Sequence, residues 1–247
     1  MSAKCVIFLT GDLHNRLTAS GAARLKALRT TEENSLLLDS GDAIRAGNLT
    51  FRPGGEPILR LMGEAGYDAM AMGNRESHPT RAVLEKKLAD ARFPVLAANL
   101  MAKRQPAPPQ VRSHLLVTLA NGLRLAVLGL APQVTRPDSW WSKVTDYVFD
   151  DPLKSAQGLG RKLAETADLV IALSHCGIET DRALARLPEL QLVLGGHTHR
   201  ETFEPSEPDR AAVVHPGWAA KRLARISFEV EIGKICSVTA DFFPLEA

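Results

Sequence analysis

Four short apolar runs, CVIFLT, SLLLDS, DAMAMG and PVLAANL, are separated by segments of helical periodicity at Ala19–Leu28, PILRLMGEAG and Arg81–Ala91. Strand–helix alternation of this kind requires parallel strands joined by crossover helices. Runs that are apolar at nearly every position belong to strands covered on both faces. The first half of the chain is therefore committed to a layered α/β fold.

The pattern then changes. HLLVTLANGLRLAVLGL reads as two strands around Asn121-Gly122, a type I′ hairpin signal. Residues 131–151 form an irregular connection that carries Trp140-Trp141. A helix is expected over Pro152–Thr166, then the strand ADLVIALSH, a helix over Asp181–Leu187 and the strand LQLVLGGH. AAVVHPG follows, and then an antiparallel pair, RLARISFEVEI and ICSVTADFF, turning at Gly233-Lys234. No linker divides the chain. One domain over residues 1–247, built on a mixed sheet or two packed sheets, is the economical expectation for 247 residues.

Charge and cysteine content exclude several partners. Thirty basic residues nearly balance 28 acidic ones, and the arginines are scattered. Neither a nucleic-acid polymer nor an anionic membrane surface is expected as a partner. No apolar run is long enough to span a bilayer. Cys5, Cys176 and Cys236 are odd in number and widely spaced, which is no disulfide framework and points to the reducing cytoplasm.

The chemistry lies at the strand ends. CVIFLT leads into Asp12 and His14, SLLL into Asp39 and Asp42, and DAMAM into Asn74, Arg75 and Glu76. DLVIALS leads into His175, and LQLVLGG into His197 and His199. Ligands of open α/β sheets bind beyond the carboxyl ends of parallel strands, so these residues can converge. A lone aspartate there is commonly a turn former or helix cap, and GGHTH alone is compatible with a plain turn. Five strand ends with the same chemistry are another matter. Carboxylate, amide oxygen and imidazole suit Mn²⁺, Fe²⁺ or Zn²⁺. Seven such groups are too many for one tetrahedral ion and suit two ions about 3.5–4 Å apart with a shared carboxylate.

In this order, GDLH, SGD, GNRE, SHCG and GGHTH resemble the five blocks of the calcineurin-like metallophosphoesterases. GYDAMAMGN, FPVLAANL, GLRLAVLGLAPQVT and ADLVIALSHCGIETDRALA resemble the catalytic domain of the 5′-nucleotidase and nucleotide-sugar hydrolase branch. The resemblance implies two mixed β-sheets packed face to face with helices outside, an αββα sandwich. It implies a two-metal hydrolase of phosphoester bonds. Asp12, His14 and His199 would hold one ion, Asn74, His175 and His197 the other, and Asp42 would bridge them. The substrate would be a small phosphoester, with nucleotides among the candidates. The other function compatible with the fold is a non-catalytic metal-binding scaffold or interaction protein, which a complete ligand set disfavours.

Two features depart from the family. Arg75 stands where the family usually has a histidine. An arginine does not give up a proton near neutrality, but it can grip a phosphoryl group and offset its charge. His78 is the nearest replacement acid. The branch also usually carries a C-terminal nucleotide-binding domain, and none is expected within residues 1–247. Trp140-Trp141 is the aromatic pair available as a substrate wall, with a hydrophobic anchor or subunit contact the other reading. Asp39 is either a turn residue or a support for a ligand, and His215 is a candidate for a supporting role. Arg16, Arg45 and Arg200 flank the blocks and read as solvated, Cys176 as a packed thiol and His114 as surface.

Overall fold

The structure, a computed structural model, describes residues 3–231 and 233–245. It contains the expected two sheets. One has the strand order Lys234–Pro244, Arg222–Glu231, Ala3–Thr10, Ser35–Asp39, Ala69–Ala71, Val95–Leu96 and Val111–Arg112. From Ala3–Thr10 to Val111–Arg112 neighbouring strands are parallel, and the final hairpin adds antiparallel. The other has the order Glu201–Glu204, Ala212–Pro216, Leu192–Leu194, Leu169–Ser174, Arg124–Leu130 and His114–Thr118, parallel inside with an antiparallel strand at each edge.

The period of two along each strand divides its side chains between two cores. Ile7, Leu9, Leu36 and Leu38 point between the sheets, where they share a core with Val127, Ile171, Leu173, Leu194 and Val214. Phe8, Leu37 and Met70 point outward, under helices Ala19–Thr30, Pro57–Ala65 and Arg81–Leu88. On the far side, Leu128, Val170, Ala172 and Val193 pack beneath helices Pro152–Leu163 and Ile178–Leu184. This is why these strands read as continuous apolar runs.

Local details differ from the sequence reading for physical reasons. The hairpin at Asn121-Gly122 is not type I′, because only Gly122 has positive φ (84°). Gly122 N–H donates to Leu119 C=O and Leu119 N–H to Leu123 C=O, so the loop has three residues and glycine takes its left-handed position. The expected Asp181–Leu187 helix is Ile178–Leu184. It starts a turn earlier because Glu179 and Asp181 favour its positive N-terminus. Lys234 pairs with Glu231 and belongs to the last strand, so it is not a turn residue as the pair Gly233-Lys234 suggests. Within residues 131–151, Tyr147–Phe149 forms a two-stranded ribbon with Leu100–Ala102, and Trp140–Lys143 is a 3₁₀ turn. Both are too short for a periodic signal.

Candidate metal centre

The carboxyl ends of the parallel strands of both sheets meet in one place. Strand-like hydrogen bonding continues into the loops: Asp12 N–H donates to Gly41 C=O at 2.9 Å, and His14 N–H to Asp42 C=O at 3.0 Å. The His197 N–H donates to Asp12 Oδ2 at 2.8 Å, tying the GGHTH turn to the first strand's loop. Asp12, His14, Asp42, His197 and His199 all adopt positive φ, between 47° and 75°. Non-glycine residues pay for that conformation, and it persists where surrounding structure dictates it, commonly at functional sites.

These turns bring the expected ligands together. Asp12 Oδ1 lies 3.7 Å from His14 Nε2, 3.8 Å from His175 Nε2 and 3.3 Å from His199 Nε2. Asp42 faces two histidines with different oxygens: Oδ2 is 3.8 Å from His14 Nε2, and Oδ1 is 3.4 Å from His175 Nε2. Among the described residues two groups have metal-binding spacing, Asp12–His14–His199 and Asp12–Asp42–His175. Asp12 belongs to both, whereas the sequence reading gave it to one ion. His14, Asp42, Asn74, Arg75, His197 and His199, with Gly47 and Asn48, line a cleft of about 300 Å³, and the buried Asp12 and His175 lie against these side chains.

Supporting bonds orient the donor atoms. His175 Nδ1 sits 2.7 Å from Ser40 C=O. That contact puts the ring proton on Nδ1 and frees Nε2 as a ligand. Asn74 Nδ2 donates to Asn48 Oδ1 at 3.0 Å, which turns Asn74 Oδ1 into the cleft. Asp12 Oδ1, His14 Nε2, Asn74 Oδ1 and His175 Nε2 are buried without a hydrogen-bond partner. Buried polar atoms are nearly always satisfied. Four acceptor-type atoms gathered around one cleft fit divalent cations as the missing partner.

The electrostatics agree. The Asp12 and Asp42 carboxylates raise His14 to about 9. Burial alone would lower His175, but Asp42 and Asp12 hold it at about 9. Burial would raise Asp42, yet His14 and His175 keep it well below the usual carboxylate range. His197 is lowered by burial and by His175. The acidic cluster thus recruits positive charge, as protons on imidazole when no ion is bound.

The remaining predicted residues divide clearly. Arg75 lines the cleft: its N–H donates to Asp42 Oδ1 at 2.8 Å, and its guanidinium Nε is 3.6 Å from Asp42 Oδ2. His78 is not among the lining residues. Its Nδ1 accepts the Thr80 N–H at 3.0 Å, at the start of helix Arg81–Leu88. Asp39 accepts from Thr10 Oγ1 at 2.6 Å and from Gly41 N–H at 2.8 Å, so it shapes the turn that presents Asp42. Trp140 and Trp141 stack on one another, exposed and outside the cleft lining. Arg16, Arg45 and Arg200 are exposed, and the Cys176 thiol, pushed well up by burial, points to Ala131 C=O. His114 bonds to its neighbour Ser113.

Three supporting residues were given no role from the sequence. Glu76 accepts from the N–H groups of Asp42, Ile44 and Gly73, holding two of the loops together. Its place in GNRE was the only available signal. Lys87 is buried, and its ammonium donates to the carbonyls of Gly47, Asn48, Arg75 and Ser77. Trp218 stacks on His199, with ring centroids 5.1 Å apart and planes 8° from parallel. Neither lies in a block.

Comparison with known proteins agrees with this geometry. Residues 6–201 match the family model described as calcineurin-like phosphoesterase. Rat 5′-nucleotidase is 30% identical over 233 residues, which is 85% of this chain and 40% of that protein. The chain thus spans about 40% of the length of the curated relatives it matches. A 5′-nucleotidase precursor from Thermus thermophilus superposes with a TM-score of 0.82 at 23% identity, covering 98% of this chain and 54% of that one. A sulfate thiohydrolase, SoxB, from Thermus thermophilus superposes nearly as well, with a TM-score of 0.81 at 20% identity, covering 98% and 56%. The fold alone therefore does not decide which bond is cleaved.

Proposed function

Because the chain belongs to the calcineurin-like phosphoesterase family, we propose that it is a metal-dependent phosphoester hydrolase using two divalent ions. The observation that carries this reading is the set of four buried, partnerless donor atoms, Asp12 Oδ1, His14 Nε2, Asn74 Oδ1 and His175 Nε2, around one cleft. Asp12, His14 and His199 would hold one ion, and Asn74, His175 and His197 would hold the other. Asp42, whose oxygens face histidines of both sets, lies between them. Mn²⁺, Fe²⁺ and Zn²⁺ all suit these donors. Bound divalent ions supply Lewis acidity toward a phosphate and an activated water nucleophile.

The chain's own residues do the positioning. Arg75 offers guanidinium N–H groups beside Asp42, where they grip a phosphoryl oxygen and offset its developing charge. It does not protonate a leaving group, and His78 is engaged at the helix start. The enzyme therefore favours esters whose leaving group departs without help. The substrate is a small phosphoester, and the nucleotidase relatives make nucleotides the first class to test. Among the described residues no helix is long and apolar enough to cross a membrane. The three free cysteines suit the reducing cytoplasm as its compartment.

The test is hydrolysis of aryl phosphate mono- and diesters by metal-stripped protein, with and without Mn²⁺. Turnover that requires the metal supports the reading, and the preferred ester identifies the substrate class. No turnover on any ester at full metal loading would favour the scaffold function instead.

A further inference from the structure

The histidines of the cleft are not held alike. His175 is fully buried, and its Nδ1 is fixed by Ser40 C=O. His199 is exposed, with 41% of its side chain accessible, and it sits at φ 56° on the GGHTH turn. No hydrogen bond to its Nδ1 is found among the described residues. An imidazole that must ligate through Nε2 ordinarily needs a partner that fixes its ring orientation.

The ring of Trp218 occupies that role. It lies parallel to the His199 imidazole at 5.1 Å, and it meets His14 edge-on at 6.2 Å. His14 and His199 themselves meet edge-on at 4.9 Å. The indole thus touches both histidines of the Asp12–His14–His199 group. Trp218 is itself pinned. Lys221 Nζ lies 4.9 Å from its ring centroid, a cation–π distance. The adjoining Ala219 N–H donates to Asp12 C=O at 2.8 Å. Ala219 and Ala220 take φ of 61° and 56°, a double left-handed turn that carries the indole across the cleft edge. Such conformations persist only where the surroundings enforce them.

We propose that Trp218 is a positioning residue that holds His199 in its ligating orientation by ring stacking, so that the ion on Asp12, His14 and His199 depends on it while the ion on His175 does not. The proposal rests on the two-metal reading above.

The test is Mn²⁺ binding, followed by electron paramagnetic resonance and equilibrium dialysis, in protein with Trp140 and Trp141 changed to Phe. In that background Trp218 fluorescence reports directly on the adjacent ion. Trp218→Ala, Trp218→Phe and His199→Ala are compared with the parent, with far-UV circular dichroism as the control for folding. The parent is expected to bind two Mn²⁺ and to quench on binding. Trp218→Ala should keep one ion at parental affinity and lose affinity for the other by about 10–100-fold, as His199→Ala does, while Trp218→Phe keeps both. Parental affinity for both ions in Trp218→Ala would overturn the proposal and leave the two-metal reading standing. Equal weakening of both ions in a folded Trp218→Ala would also overturn it, because the ring would then support the whole turn. A parent that binds no Mn²⁺ would overturn both. Should Trp218→Ala fail to fold, Trp218→Leu replaces it, with the same outcomes.

Discussion

His215 Nε2 lies 2.8 Å from Asp181 Oδ2, both side chains are buried, and a Cβ built on Gly195 would fall 2.1 Å from each of those atoms. The turn bearing His197 and His199 therefore rests directly on a buried acid–imidazole pair. Thr198 Oγ1, between the two ligands, reaches His215 Nδ1 at 3.4 Å. Only glycine admits this approach. Gly195→Ala should destabilise the fold by about 1–3 kcal/mol through overpacking and weaken Mn²⁺ binding. Thermal melts with and without Mn²⁺ check both effects. An unchanged Mn²⁺-dependent rise in Tm would show that the turn tolerates the displacement.

Metal binding should release protons. His14 and His175 are held at about 9 in the absence of an ion, and a ligating imidazole must be neutral. Near pH 7 both are protonated in the metal-free protein, so loading should expel about two protons. Calorimetric Mn²⁺ titrations in buffers of different ionisation enthalpy count them directly. The number should fall toward zero as the pH rises past 9.

On the proposed reading, Arg75 acts electrostatically and not as an acid. Arg75→Ala should lower kcat/KM by about 100–1,000-fold with Mn²⁺ stoichiometry intact, since a guanidinium has donors only and no lone pair to offer a metal ion. Arg75→His should recover activity selectively on esters with poor leaving groups. Kinetics across aryl phosphates of graded leaving-group pKa separate the two effects, and loss on every ester in Arg75→His would count against this role.

Asp39 gives the stability curve a predictable sign. Burial raises its carboxyl from 3.8 to about 7. Between those values the folded protein holds a proton that the unfolded chain has released. Its contribution is fully present below pH 3.8 and is lost as pH rises through about 7. Asp39→Asn cannot titrate. In metal-stripped protein, the stability of Asp39→Asn relative to the parent should therefore increase from pH 4 to pH 7, by at most about 4 kcal/mol. Denaturant melts at several pH values measure the difference.

The layer architecture and the ligand chemistry were legible in the chain because both are local. CVIFLT and LVIALS are buried along their whole length because both faces of each strand are covered, and Asp and His residues lie just beyond those runs. What no local pattern could supply was contact between distant segments. Asp12 Oδ2 meets the His197 N–H across 185 positions, and His175 meets Ser40 across 135. Only the packing of two sheets brings those loops together, and it made Asp12 a neighbour of His175 as well as of His14 and His199. The same packing set Trp218 against His199, while His78 bonds locally to Thr80 and Trp140 stacks on its neighbour Trp141, all outside the cleft lining. Residue type and strand position determined that this chain can hold metal. Tertiary structure decided which atoms face the cleft and which side chains orient them, because orientation depends on contacts that the order of residues does not contain.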